Sequence, residues 1–358
     1  MPALALPTRE PHRRWRGTPR QRLAALLALT LLITALCAQL GALPLSAQDW
    51  LSPPWAAGDV PFSGGAHVLW QLRLPRLLLA LAVGAALALA GALAQALFRN
   101  PMADPALLGV TSGAGAAVAL GLTLFASLQL SLPPAWRLWL MPALGFGGAL
   151  LVCLMLERTA RWLAPGSIAG LLLTGLALQA LCFAVIGLCS SVATDEQLRA
   201  ISFWTLGSLA GANWLMSGVM LAALVLGGWA ARRMAQRLNA LALGEAAASH
   251  IGVDVQGLRW RAIALIALLS ALAVAWCGSI GFIGLIAPHL ARQLAGADQR
   301  RLMPMAMVCG ALLLVVADTL GRTVAAPAEV PVGVFSALIG APWFLALLRA
   351  GMRRHGAA

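Results

Sequence analysis

Residues 229–261 read WAARRMAQRLNALALGEAAASHIGVDVQGLRWR, the longest polar interruption beyond the first third of a chain that is otherwise mostly apolar. Long apolar segments flank the stretch on both sides. Asn239 is predicted to cap a single helical turn over residues 240–243, and Gly244 breaks it. Glu245 then starts a second short helix, where its carboxylate sits at the positive N-terminal end, and Gly252 stops it. Leu241, Leu243, Ala247 and Ile251 form a pattern that a solvated loop does not need. Two short helices joined at a glycine outside a membrane form a stiff knob. Another protein gripping that knob and a connector lying on the membrane surface both fit these residues.

Composition explains why a membrane comes into the reading. The 358 residues are 61% hydrophobic and 10% charged, with mean hydropathy +0.85, against about 25% charged in soluble domains. The fold class expected is an all-α integral membrane protein. Ten apolar runs are read as spans; the first, of 21 residues, is long enough at 1.5 Å per residue to cross a core of about 30 Å, and the eighth is shorter. They cover 23–43, 77–97, 107–128, 138–156, 168–190, 209–229, 262–277, 280–294, 303–320 and 332–348. The first run has a basic flank and a possible cleavage site at residues 45–47. It is longer than a signal-peptide core, so it reads as a retained helix. This divides the chain into a disordered cytoplasmic arm (1–22), a ten-helix domain (23–350) with the knob at about 239–252, and a cytoplasmic tail (351–358).

The charge pattern orients those spans. Every basic residue is arginine, 25 in all, and there is no lysine. With ten spans and both termini in the cytoplasm, 20 arginines fall on the cytoplasmic side. Only Arg73, Arg76, Arg137, Arg199 and Arg322 fall outside. That is the positive-inside bias expected of a multi-pass protein. The net charge of +13 is therefore a topology signal, and no nucleic-acid surface is expected.

Catalytic equipment is absent from the sequence. There is no HExxH motif and no nucleophile arrangement. A GxxxxGK[ST] loop is impossible without lysine, so ATP hydrolysis, if it drives this protein, belongs to a separate chain. The six cysteines lie in apolar runs without metal-ligand spacing and are expected to pack as small hydrophobes, with no disulfide and no metal. Asp318 and Arg322 are four residues apart and are expected to pair on one helix face; an ion-coupling site is the other reading of Asp318. His289 beside Pro288 reads as a cap or packing residue. Arg73-Leu74-Pro75-Arg76 presents two guanidinium groups at the outer rim, and Arg322 lies at the same level. Carboxylates of a soluble partner and lipid headgroups reached by snorkelling both suit them.

Seven stretches taken together resemble one family. They are RLPR (73–76), GALAQALFRNPMADP (91–105), LLGVTSGAG (107–115), LALGE (241–245), GSIGFIGLIAPHLAR (278–292), ADTLGR (317–322), and EVPVGV with IGAPWF between 329 and 344. They are similar to the permease subunits of binding-protein-dependent ABC importers for iron chelates, haem and vitamin B12 (FecCD-type), and the resemblance runs in order from about residue 65 to 350. It implies a bacterial inner-membrane permease that pairs with a second permease subunit, expected to be a copy of itself. Two ATPase subunits would dock inside and carry the ATP and Mg²⁺. A substrate-binding protein would dock outside. The chain itself would be neither an enzyme nor a cofactor protein.

By the same resemblance, Leu241, Ala242, Leu243, Gly244 and Glu245, with Gly252 ending the second coupling helix, would engage the ATPase. Arg73, Arg76 and Arg322 would meet the binding protein. Asn100, Pro101 and Met102 would belong to the inner gate, although relatives often carry leucine where Met102 stands. The segment at residues 195–209 looks most like haem permeases, with ferric siderophore next and vitamin B12 third. An ion-coupled secondary transporter is the alternative from another class.

Overall fold

The computed structural model describes residues 17–54, 63–127, 134–163, 167–326 and 328–355. Its elements in chain order are α1 (Pro19–Gln39), α2 (Ala47–Leu51), α3 (Gly64–His67), a π-helical turn (Val68–Arg73), α4 (Leu74–Leu97), a 3₁₀ turn (Pro105–Leu108), α5 (Val110–Ser127), α6 (Pro134–Leu163) and α7 (Ile168–Val192). They continue with α8 (Asp195–Leu206), α9 (Trp214–Leu241), α10 (Glu245–His250), α11 (Val255–Cys277), α12 (Ile283–Ala295), α13 (Gln299–Thr323) and α14 (Val332–His355). Each of the ten expected spans falls on one of these helices. Among the described residues, seven are long and apolar enough to cross a membrane, Val110–Leu124 and Val332–Ala346 are shorter apolar helices, and α12 has 13 residues.

Helix α4 is the hub. Nearly every side chain from Leu77 to Leu97 is buried, with α13, α9, α11 and α12 packed around it. Glycines permit this crowding. A Cβ on Gly91 would fall 1.8 Å from the Gly284 carbonyl of α12, and one on Gly84 would fall 2.3 Å from the Gly310 carbonyl of α13. Lipid supplies no hydrophobic drive between helices, so close backbone packing at small residues holds such a bundle together. By contrast, α1 lies at the edge, with Leu27, Leu31, Leu32 and Leu36 exposed.

The helix leading into α4 begins earlier than the sequence reading placed it. Residues 64–97 run without a break, and Pro75 explains the wide turn inside them. Proline has no N–H and its ring crowds the preceding turn. The helix relaxes to π spacing, with the Leu74 N–H donating to the Leu69 carbonyl. Both chain ends also carry more helix than expected. α1 starts at Pro19 under a Thr18–Gln21 capping box, and α14 runs to His355. The rest of the expected arm, residues 1–16, lies outside the described residues.

Two backbone breaks support each other. Between α8 and α9 the chain turns at Gly207 (φ +72°), and between α11 and α12 at Gly278 (φ +66°). Ser208 N–H donates to the Cys277 carbonyl (2.8 Å) and Ser279 N–H to the Trp204 carbonyl (3.3 Å). Non-helical backbone inside an apolar bundle has to find partners in the protein, and these two breaks find each other. The expected span at 209–229 is therefore displaced, since α9 begins only at Trp214.

Candidate functional site

The polar stretch that separates α9 from α11 contains one short helix, not the expected two. α9 continues through Asn239 to Leu241 because Met234, Leu238 and Leu241 keep burying its apolar face. Asn239 caps nothing of its own. Its side chain reaches the start of α13, where Nδ2 donates to Asp298 Oδ1 (2.7 Å) and Oδ1 accepts from the Gln299 N–H (2.9 Å). That amide, with Arg300, holds the Asp298 carboxyl below the usual carboxylate range.

The turn at Ala242 and Leu243 ends at Gly244, whose φ of +114° suits glycine alone. α10 then starts at Glu245 and ends in a Schellman motif. The Gly252 N–H donates to Ser249, the Val253 N–H donates to Ala248, and Gly252 takes φ +83°. Ala248 is buried and seats the knob, whereas Leu243 and Ile251 are 77% and 67% exposed on its outer side. Glu245 Oε1 accepts from Arg259 Nη2 of α11 at 2.7 Å, so the start of α10 is braced on the next long helix. A second cluster adjoins this brace. Arg161 pairs with Glu157 one turn earlier on α6 and stacks on Trp260 of α11, 4.8 Å from the ring centroid. Sequence reasoning did not single out Arg259, Arg161 or Trp260, because none belongs to a motif.

The 98–104 turn lies beside the knob. Arg99 adopts φ +49°, and its Nη1 is 4.0 Å from where a Cβ on Gly244 would sit. Asn100 and Pro101 are exposed. Asn100 Oδ1 accepts from the Met102 N–H (2.9 Å) and so fixes the turn. Two regions that are about 140 residues apart in sequence, the 100–102 turn and Leu241–Glu245, are thus neighbours in space.

The outer arginines are engaged within the protein. Arg73 is 6% exposed, and its guanidinium donates to the carbonyls of Ala38 (2.9 Å), Gln39 (3.1 Å) and Leu43. Arg322 donates to Cys37 and Leu40. These carbonyls are the orphan acceptors at and just past the C-terminus of α1, where the helix dipole also favours a cation. The expected Asp318–Arg322 pair does not form. Asp318, 1% exposed, is held instead by Arg76 Nη2 (2.9 Å) and Nε, while Arg76 Nη1 reaches Glu329 (2.9 Å), which is 45% exposed. Arg73, Arg76, Arg322 and Glu329 border one cavity of about 340 Å³ that also touches Leu72 and Ala210.

A second cavity, about 190 Å³, lies between α5, α7, α8 and the 278–284 break. Thr111, Ser112, Gln179, Phe183, Trp204 and Ser279 are among the residues around it.

The described helices form a largely apolar bundle with a braced knob and two paired backbone breaks, the architecture of a multi-pass membrane protein. The profile of the FecCD transport family matches residues 26–350. The chain is 42% identical over 346 residues to the hemin transport system permease protein of Yersinia pestis, covering 95% of this chain and 99% of that protein. It is 39% identical over 335 residues to the vitamin B12 import system permease protein of Salmonella typhi, covering 93% and 97%. Its fold superimposes with a TM-score of 0.79, at 32% identity, on an inward-facing ABC transporter of the metal-chelate type, covering 93% of this chain and 99% of that one. The chain belongs to the FecCD transport family, and it is an ABC-importer permease of the inner membrane.

Proposed function

We propose that the protein is the permease subunit of an ATP-driven importer that carries an iron chelate, haem before ferric siderophore, into the cytoplasm. The observation behind this reading is the nearness of the exposed knob to the 98–104 turn, where Arg99 Nη1 lies 4.0 Å from the Cβ position of Gly244. A partner that grips Leu243 and Ile251 and moves Glu245 would also move the turn that carries Asn100, Pro101 and Met102. ATP and Mg²⁺ belong to a pair of separate ATPase subunits on that face. All ten helices cross, both termini are cytoplasmic, and a second copy of the chain completes the pathway. Similarity to the hemin permease of Yersinia pestis favours haem. Vitamin B12 is the second reading, supported by the Salmonella permease.

On the outer face a binding protein meets the rim at Arg76 and Arg322. Because Arg76 already holds the half-exposed Glu329, an incoming carboxylate has to displace that glutamate. The ion-coupled alternative loses support, because Asp318 is consumed by Arg76. The test is uptake by permease, ATPase and binding protein in proteoliposomes, with haem, a ferric siderophore and vitamin B12 offered in parallel. Haem uptake that stops with vanadate or Mg²⁺ chelation supports the proposal. Uptake that survives vanadate and stops with an uncoupler refutes it.

A further inference from the structure

The starts of α1 and α13, with Arg232 of α9, line an open cleft of about 690 Å³, within the range of roughly 300–1,000 Å³ usual for small-ligand sites. Its polar wall is basic. Arg20 from α1, Arg232 from α9, and Arg300 and Arg301 from α13 line it, with Asp298 the one carboxylate among the described residues around it. All four arginines are exposed. Arg300 contacts Asp298 at 3.3 Å, but that carboxylate is already shared with Asn239 and the α13 N-terminus. Two long helices also begin here, α1 behind the Thr18 cap and α13 behind the Asp298 cap. Their N-terminal ends add positive potential.

The remaining wall is apolar and belongs to Leu23, Pro304 and Met305. From Leu23 the track continues along one ridge of α1 through Leu27 (44% exposed) and Leu31 (66% exposed), spaced four residues apart as neighbours on a helix face. A soluble anion has no use for such a track. A basic cleft that opens onto an uncovered apolar helix face matches a molecule with a phosphate at one end and acyl chains at the other.

We propose that this cavity seats an anionic phospholipid of the cytoplasmic leaflet. Its phosphodiester lies among Arg20, Arg232, Arg300 and Arg301, and an acyl chain runs along Leu23, Leu27 and Leu31. Basic clefts between transmembrane helices on this side of a bilayer suit such headgroups. The lipid would tie the lipid-exposed α1 to α9, the helix that ends in the knob. The inference rests on the topology proposed above, but it is read out by binding, so a failed uptake assay leaves it standing.

The test uses the full-length permease purified in neutral detergent and titrated with phosphatidylglycerol, with phosphatidylcholine of the same acyl chains, and with inorganic phosphate, the bound species being counted by native mass spectrometry. Phosphatidylglycerol should bind at least about tenfold tighter than phosphatidylcholine. Arg232→Gln with Arg301→Gln should weaken it by about fivefold per arginine removed. Arg237→Gln with Arg261→Gln removes the same charge outside the cavity and should leave binding unchanged. Equal weakening in both double variants would mean diffuse surface charge and would overturn the site. So would equal affinity for the two lipids, or full displacement by millimolar phosphate, which would identify a free-anion site. If the double variant melts below the parent, the single Arg20→Gln variant decides, with about a fivefold loss expected.

Discussion

Arg76 gathers two carboxylates of different exposure, and each sets a different expectation. Asp318 is buried, so removing the arginine that pairs with it leaves a poorly compensated charge in an apolar bundle, at a cost of about 3–5 kcal/mol. Arg76→Met should lower the melting temperature of the purified permease by many degrees, and Asp318→Leu should do the same. The double variant should recover most of the loss, because a buried pair replaced by apolar groups of similar size is often neutral. Additive losses would show that the two residues do not act as a pair. Arg73 sets a warning for transport assays. Its guanidinium holds the C-terminal carbonyls of α1, so Arg73→Glu should detach that helix and reduce folded yield before any docking is measured. Arg322→Gln, at a half-buried position, is the better docking probe. It should weaken binding-protein affinity with a salt-dependent loss, and unchanged affinity would assign Arg322 to α1 alone. Spacing in the sequence offered only the Asp318–Arg322 pair. The real partner is 242 residues away, where no local pattern points to it.

Among the helices, the crossing glycines and the knob make separable predictions. Gly91→Ala would drive a methyl group into the Gly284 backbone, and a backbone neighbour cannot rotate away. It should collapse expression in membranes, whereas Gly218→Ala, with nothing within 4 Å, should be tolerated. Normal yield from Gly91→Ala would mean α4 and α12 part easily. Glu245→Arg should abolish co-purification with the ATPase. Combining it with Arg259→Glu restores the internal ion pair in reverse. If association returns, Glu245 acts by bracing α10; if it stays lost, Glu245 touches the ATPase itself. The start of α10 and its stop at Gly252 were legible, because a carboxylate at a helix start and a glycine at a helix end act through local backbone physics. The single turn at 240–243 was misread for the opposite reason. Asn239 has the local credentials of a cap, but burial of Leu238 and Leu241 carries α9 past it.

Across the whole molecule, Arg99 of the 98–104 turn lies near Gly244 of the knob, and Arg76 belongs to α4, the helix that leads into that turn. In the coupling proposed above, a shift of the knob would reach the turn that follows α4, the helix that carries Arg76. Vanadate-trapped complex should protect Leu243→Cys and Ile251→Cys from a thiol reagent relative to permease alone. Equal labelling would place the ATPase elsewhere.

From the sequence alone came the membrane class, the approximate course of the apolar helices, the polar stretch that became the knob, and the family. Each of these is written in composition, in period, or in short motifs. The tertiary structure alone decided which charges pair, which arginines face inward, and where two broken helices bond to each other. Those outcomes depend on contacts between segments from tens to more than two hundred residues apart, set by close packing at glycines and by the cost of leaving a polar group unpaired in an apolar interior. The stretch at 229–261 shows both sides. Its polarity marked it in the sequence, and packing around Asn239 and Glu245 determined how many helices it holds.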